Sequence, residues 1–99
     1  MSDPAEQAAP AEVIRRKLKV SGTVHAVFFR ETLRRLAVEQ GVNGWARNVR
    51  DGLEAVLEGP RPAVEELIAW CRKGPPRAVV INVLVQDEEP AGDTTFRVR

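Results

Sequence analysis

Val20-Ser21-Gly22-Thr23-Val24-His25-Ala26-Val27-Phe28-Phe29-Arg30 reads as a strand end, a turn and the opening of a helix. Leu18 and Val20 alternate with basic residues, the period-two pattern of a half-buried strand, and Gly22 supplies the turn. A strand-loop-helix junction points several main-chain N–H groups one way, and the helix macrodipole adds partial positive charge there. Arg30, at the mouth of the helix, adds a fork of fixed donors suited to phosphate or carboxylate. Physics alone reads the stretch as an anion cradle, against the plainer reading of Arg30 as a solvated surface side chain.

Upstream of the cradle, Val13 to Ser21 is a basic strand in which Arg15, Arg16, Lys17 and Lys19 are interleaved with Ile14, Leu18 and Val20. Those charges either attract a phosphorylated substrate or, more plainly, form a solvated, edge-protecting face. Downstream, Glu31 to Gln40 has the spacing of a helix, with Leu33, Leu36 and Ala37 on one face and Gly41 placed to end it. Asn43-Gly44 turns into a strand from Trp45 to Val49, Arg50-Asp51-Gly52 marks a hairpin, and Leu53 to Glu58 returns. Gly59-Pro60-Arg61-Pro62 breaks that strand and starts a second helix, whose Val64, Leu67, Ile68 and Cys71 fall on one stripe before Gly74-Pro75-Pro76 stops it. Ala78 to Val85 is β-branched and apolar on both faces, which predicts a well-buried strand. A polar loop, Asp87 to Asp93, and a short strand, Thr94 to Val98, finish the chain. The order β-α-β-β-α-β plus a terminal strand predicts an α+β fold of the ferredoxin-like, split βαβ kind: an antiparallel sheet with two helices on one face.

Ninety-nine residues, 43% hydrophobic, suffice for one core and hardly for two. Residues 1–12 are rich in Ala, Pro, Glu and Gln without periodicity and are expected to be a disordered tail, leaving 13–99 as the domain. The tail carries no basic side chain, so the domain holds 15 basic against 11 acidic residues. That surplus suits a small anionic ligand better than a nucleic acid, which calls for a basic stripe. Cys71 and His25 are the only residues of their types, so no intrachain disulfide forms and a metal site would need clustered carboxylates that the sequence lacks. No apolar run approaches a membrane span, and no signal peptide leads the chain, so a cytoplasmic location is expected.

A second stretch, Gly44-Trp45-Ala46-Arg47-Asn48 followed by Asp51-Gly52, joins the cradle, Gly74-Pro75 and the closing Phe96-Arg97-Val98-Arg99 in a set that resembles the acylphosphatase family from about Leu18 to Arg99. In that family the loop reads G-x-V-Q-G-V-x-F-R and the second motif G-[WY]-[VA]-x-N-x-x-D-G. The resemblance implies a ferredoxin-like fold and a metal-free, cofactor-free hydrolase that cleaves the carboxyl–phosphate bond of small acyl phosphates and releases inorganic phosphate. It also implies that His25, Ala26, Val27, Phe28, Phe29 and Arg30 form the phosphate loop, with Arg30 binding the phosphoryl group and Asn48 orienting the attacking water. Such chemistry needs fixed donors and one polar group for the water, and no acid/base pair, because the leaving carboxylate is a weak base. Read without the resemblance, Asn48 is a strand-end residue satisfying local backbone.

Two loop positions depart from the family pattern: His25 replaces Gln and Ala26 replaces Gly. If the loop needs positive φ at Ala26, its Cβ costs about 1–2 kcal/mol. That departure keeps open a second reading, a non-catalytic anion-binding module on the same fold. His25, with an ordinary pKa of about 6.5, invites a role as base or extra donor, and is otherwise a loop side chain standing in for Gln. Single-stranded RNA binding, which this element order also serves, is disfavoured because Leu53, Ala55 and Leu57 stand where stacking aromatics would be needed. Trp45 and Trp70 read as packing aromatics, Cys71 as inert, Arg47 as facing away from Asn48, and the chain as a monomer.

Overall fold

A computed structural model describes residues 12–25 and 28–99. The first strand, β1 (Val13–Thr23), is followed by α1 (Phe29–Gln40), β2 (Asn43–Val49), β3 (Gly52–Pro60), α2 (Arg61–Lys73), β4 (Val79–Glu88) and β5 (Phe96–Val98). The sheet order is β4-β1-β3-β2-β5. Its first four strands pair antiparallel, and β5 adds parallel to β2 at the edge. The split βαβ arrangement expected from the sequence is therefore present, extended into a mixed sheet by β5. The expected tail falls on residues outside those described except for Glu12, whose carbonyl accepts from the Arg61 N–H and whose carboxylate pairs with the Arg61 guanidinium.

Both helices cover one face of the sheet. On that side β1 supplies Ile14, Leu18 and Val20, β3 supplies Leu53, Ala55 and Leu57, and β2 supplies Ala46, all buried. Against them lie Phe29, Leu33 and Ala37 of α1 and the stripe Val64, Leu67, Ile68 and Cys71 of α2. Phe29 and Trp70 join the helices edge to face, with centroids 5.1 Å apart. Gly41 ends α1 as expected, in the left-handed region at φ 72°, with its N–H on the Ala37 and Val38 carbonyls. Burial pushes the Cys71 thiol up to about 12, which removes its nucleophilic form at neutral pH.

β4 overturns one expectation. Its apolar run does not make it a central strand: among the described residues β4 is an edge strand with β1 as its one neighbour, and Val79, Ile81 and Leu84 are exposed while Val83 is buried. β-branched content favours strand conformation in either place, so it cannot distinguish an edge from a centre. Gly22, at φ 136°, sits where the β1–β4 register shifts, and a Cβ there would lie 2.0 Å from the Val79 carbonyl oxygen. Past this bulge Gly22 and Thr23 stay paired with β4, opposite Val80 and Val79, while the pairing with β3 ends at Ser21.

The open face of the sheet carries a charge network beside Trp45, Val56 and Leu84. Arg15 is not a solvated strand charge: its guanidinium bonds Glu58, Glu88 and Asp93 at 2.9–3.1 Å. Glu58, 4% exposed, also accepts the N–H groups of Ala91, Gly92 and Asp93. One buried carboxylate thus fastens the β4–β5 connection across the sheet. Burial raises its pKa, but the Ala91 N–H, Arg15 and the N–H groups of Gly92 and Asp93 outweigh that and hold it below its ordinary 4.5. A folded-state carboxyl that titrates below its unfolded value adds stability above the unfolded pKa, and that stability is lost as pH falls through the folded one. Glu58→Gln should lower unfolding stability by about 2–3 kcal/mol at pH 7 and flatten its decline on acidification, as measured by urea melts between pH 7 and 3.

Candidate active site

Helix α1 starts without a cap. Phe28, at the N-cap position, has φ 60° and ψ 26°, and among the described residues no side chain caps the helix N–H groups. The first main-chain bond of the helix runs from the Thr32 N–H to the Phe28 carbonyl at 2.9 Å. The N–H groups of the first turn are thereby left for a ligand, with the positive end of the macrodipole behind them. Beside this start, on the helix-covered side of β2, lies the strand end that carries Asn48.

Val24, Phe28, Phe29, Arg30, Glu31 and Asn48 line one cavity of about 260 Å³. It brings together the guanidinium and the carboxamide that the sequence singles out, from positions 18 residues apart. Cavities of 430, 540 and 770 Å³ lie elsewhere, and none of them includes a carboxamide. The smaller space matches a tetrahedral anion and a water, so its lining rather than its size marks it. Arg30 is already oriented: its Nη1 donates to the main-chain oxygen of Arg99 at 3.1 Å. Glu31 in the cavity wall was not anticipated from sequence; its carboxylate pairs with Arg34 at 3.2 Å, which moderates its repulsion of an anion.

The remaining loop positions divide. Ala26 and Val27 lie outside the described residues, so the strain expected at Ala26 falls there as well. The one positive φ at a non-glycine among the described residues belongs to Phe28, a bulky and 78% exposed side chain. His25 does not line the cavity. Its Nε2 is 2.7 Å from the Gly52 carbonyl oxygen, and since a carbonyl only accepts, Nε2 carries the proton and donates. His25 therefore ties the loop to the β2–β3 hairpin, and that nitrogen is not available as a base. Arg47 faces the open side, as expected, where it bonds Glu54. Among the described residues no group of three His, Cys, Asp or Glu side chains could hold a metal ion.

Fold and cavity define a class: a split βαβ protein whose exposed helix start, one guanidinium and one strand-end amide face a pocket of anion size. The Acylphosphatase family model matches residues 16–98. An acylphosphatase of Gloeobacter violaceus is 51% identical over 89 residues, covering 89% of this chain and 96% of that protein. One from Haloquadratum walsbyi is 52% identical over 81 residues, covering 81% and 87% respectively. The structure of an acylphosphatase from Coxiella burnetii superposes with a TM-score of 0.84 at 36% identity, over 88% of this chain and 93% of that one. The chain belongs to the acylphosphatase family.

Two substitutions test the loop. Phe28→Gly relieves a left-handed backbone conformation at a side chain that packs little, and should raise stability by about 1 kcal/mol in urea melts. His25→Gln retains a donor for the Gly52 carbonyl and should keep the wild-type pH–rate profile, whereas His25→Ala should lower kcat/KM roughly 2–10-fold, the worth of one hydrogen bond. A pH profile that loses a limb in His25→Gln would contradict the anchoring role.

Proposed function

We propose that the chain hydrolyses acyl phosphates to a carboxylate and inorganic phosphate, through a phosphate held by the α1 start and Arg30 and a water oriented by Asn48. The working unit is residues 13–99, acting as a cytoplasmic monomer without metal or cofactor. The observation that carries this reading is the meeting of Arg30, Asn48 and the uncapped first turn in one cavity. Family membership supports the reaction class.

The division of labour follows from charge. The phosphoryl group carries negative charge at all stages, so fixed donors that cost no reorganisation are the main requirement. Arg30 offers N–H groups beyond the one bonded to Arg99, in a planar fork that matches two phosphoryl oxygens. The Asn48 amide both accepts from and donates to water without changing charge, so it can aim the lone pair of water at phosphorus from the side opposite the leaving oxygen. The new P–O bond forms as the bond to the carboxylate oxygen breaks. The carboxylate leaves with its electron pair and needs no proton, and the proton of the water passes to a phosphate oxygen. No step requires a protein base, consistent with a cavity whose one carboxylate, Glu31, is engaged by Arg34.

Benzoyl phosphate hydrolysis tests the assignment. Arg30→Ala and Asn48→Ala should each remain folded and lose about 10²–10³ in kcat/KM, the usual cost of one preorganised donor or more. EDTA should leave the wild-type rate unchanged. Either variant turning over within a few-fold of wild type would contradict the assigned role.

A further inference from the structure

The hydrogen bond that orients Arg30 comes from a segment with its own anchor on the far side of the sheet. The Arg99 N–H donates to the Ala46 carbonyl at 2.8 Å, continuing the β2–β5 pairing one residue beyond Val98. The Arg99 guanidinium lies 4.8 Å from the centroid of the Trp45 ring. Arg47 also approaches that ring, at 5.5 Å, but both of its bonded nitrogens are committed to Glu54. Arg99 makes no salt bridge among the described residues, so the indole is the partner its side chain has there. Arg99 is thus held twice, by Ala46 through its main chain and by Trp45 through its side chain, and it presents its main-chain oxygen to Arg30 at 3.1 Å.

We propose that Trp45 is a positioning residue for Arg30, acting through Arg99. An arginine side chain loses rotamer freedom when it grips an anion, and a hydrogen bond made in advance removes part of that loss. The oxygen that makes this bond is useful only if it stays in place. β5 is three residues long and pairs with one strand, so its far end would fray without a side-chain anchor. A cation held over an indole ring supplies that anchor. Trp45 therefore acts on the cavity while touching neither the cavity nor Arg30.

The inference rests on the reading of Arg30 as the phosphate-holding group, and the test separates the two. The dissociation constant of inorganic phosphate and the KM for benzoyl phosphate are measured in Trp45→Leu, Trp45→Phe and Arg99→Met, and phosphate binding is also measured with each change combined with Arg30→Ala. Trp45→Leu and Arg99→Met should weaken phosphate binding and raise KM together by about five- to tenfold, while Trp45→Phe, which keeps a ring face, stays within about twofold of wild type. In the Arg30→Ala background neither Trp45→Leu nor Arg99→Met should weaken phosphate binding further. Arg99→Met leaves Trp45 and its packing intact, so it answers the question even if Trp45→Leu proves unstable. Equal losses with and without Arg30, or a Trp45→Phe variant no better than Trp45→Leu, would overturn the positioning role. If Arg30→Ala alone leaves phosphate binding unchanged, the reading of Arg30 fails first and the inference falls with it.

Discussion

The first turn of an α-helix has N–H groups that the helix itself cannot satisfy, and here nothing else in the described chain caps them. The site depends on that fact. A Ser, Thr or Asp at position 28 would fill the vacancy with its own oxygen and make a better helix and a poorer anion site. Phe28 instead adopts a left-handed backbone conformation that an apolar side chain disfavours, and the protein tolerates the strain where its donors are needed. On the proposed function, local stability is given up at the point where charge is received.

The rest of the fold holds other groups against that helix start. Gly22 carries the β1–β4 pairing through a bulge, and His25 pins the loop that follows β1 to the hairpin through the Gly52 carbonyl. The β2–β3 pairing puts Asn48 opposite Leu53, on the side the helices cover. β5, lying parallel to β2, delivers the Arg99 oxygen to Arg30. Glu58 and Arg15 fasten the connection that brings β5 there, on the opposite face from the cavity. Polar contacts on the open face and apolar contacts under the helices thus serve one end: holding two side chains from different elements beside one row of N–H groups.

Much of this was legible in the residues. The stripe Val64, Leu67, Ile68 and Cys71, the terminating Gly41 and the hairpin at Arg50-Asp51-Gly52 are local signals, and local signals survive folding. Arg30 and Asn48 were named through the resemblance of their motifs to the family's, and the structure places both on one cavity. Tertiary placement was not legible. The apolar run of β4 carries no mark of its edge position, and the charge of Arg15 carries no mark of the three carboxylates that surround it. Glu58 looks like one more polar residue of an alternating strand, because its donors come from a loop 33 to 35 residues later. The left-handed Phe28 was hidden for a related reason: sequence flags a glycine where φ is positive, and here there is none.

Amide chemical shifts during titration with inorganic phosphate test the central claim most directly. The account predicts that the largest changes fall on the main-chain N–H groups of Phe29, Arg30 and Glu31 and on the Asn48 side-chain amide, and that they vanish in Arg30→Ala. Shifts centred on the open-face basic residues, with the first turn of α1 and Asn48 unmoved, would contradict it.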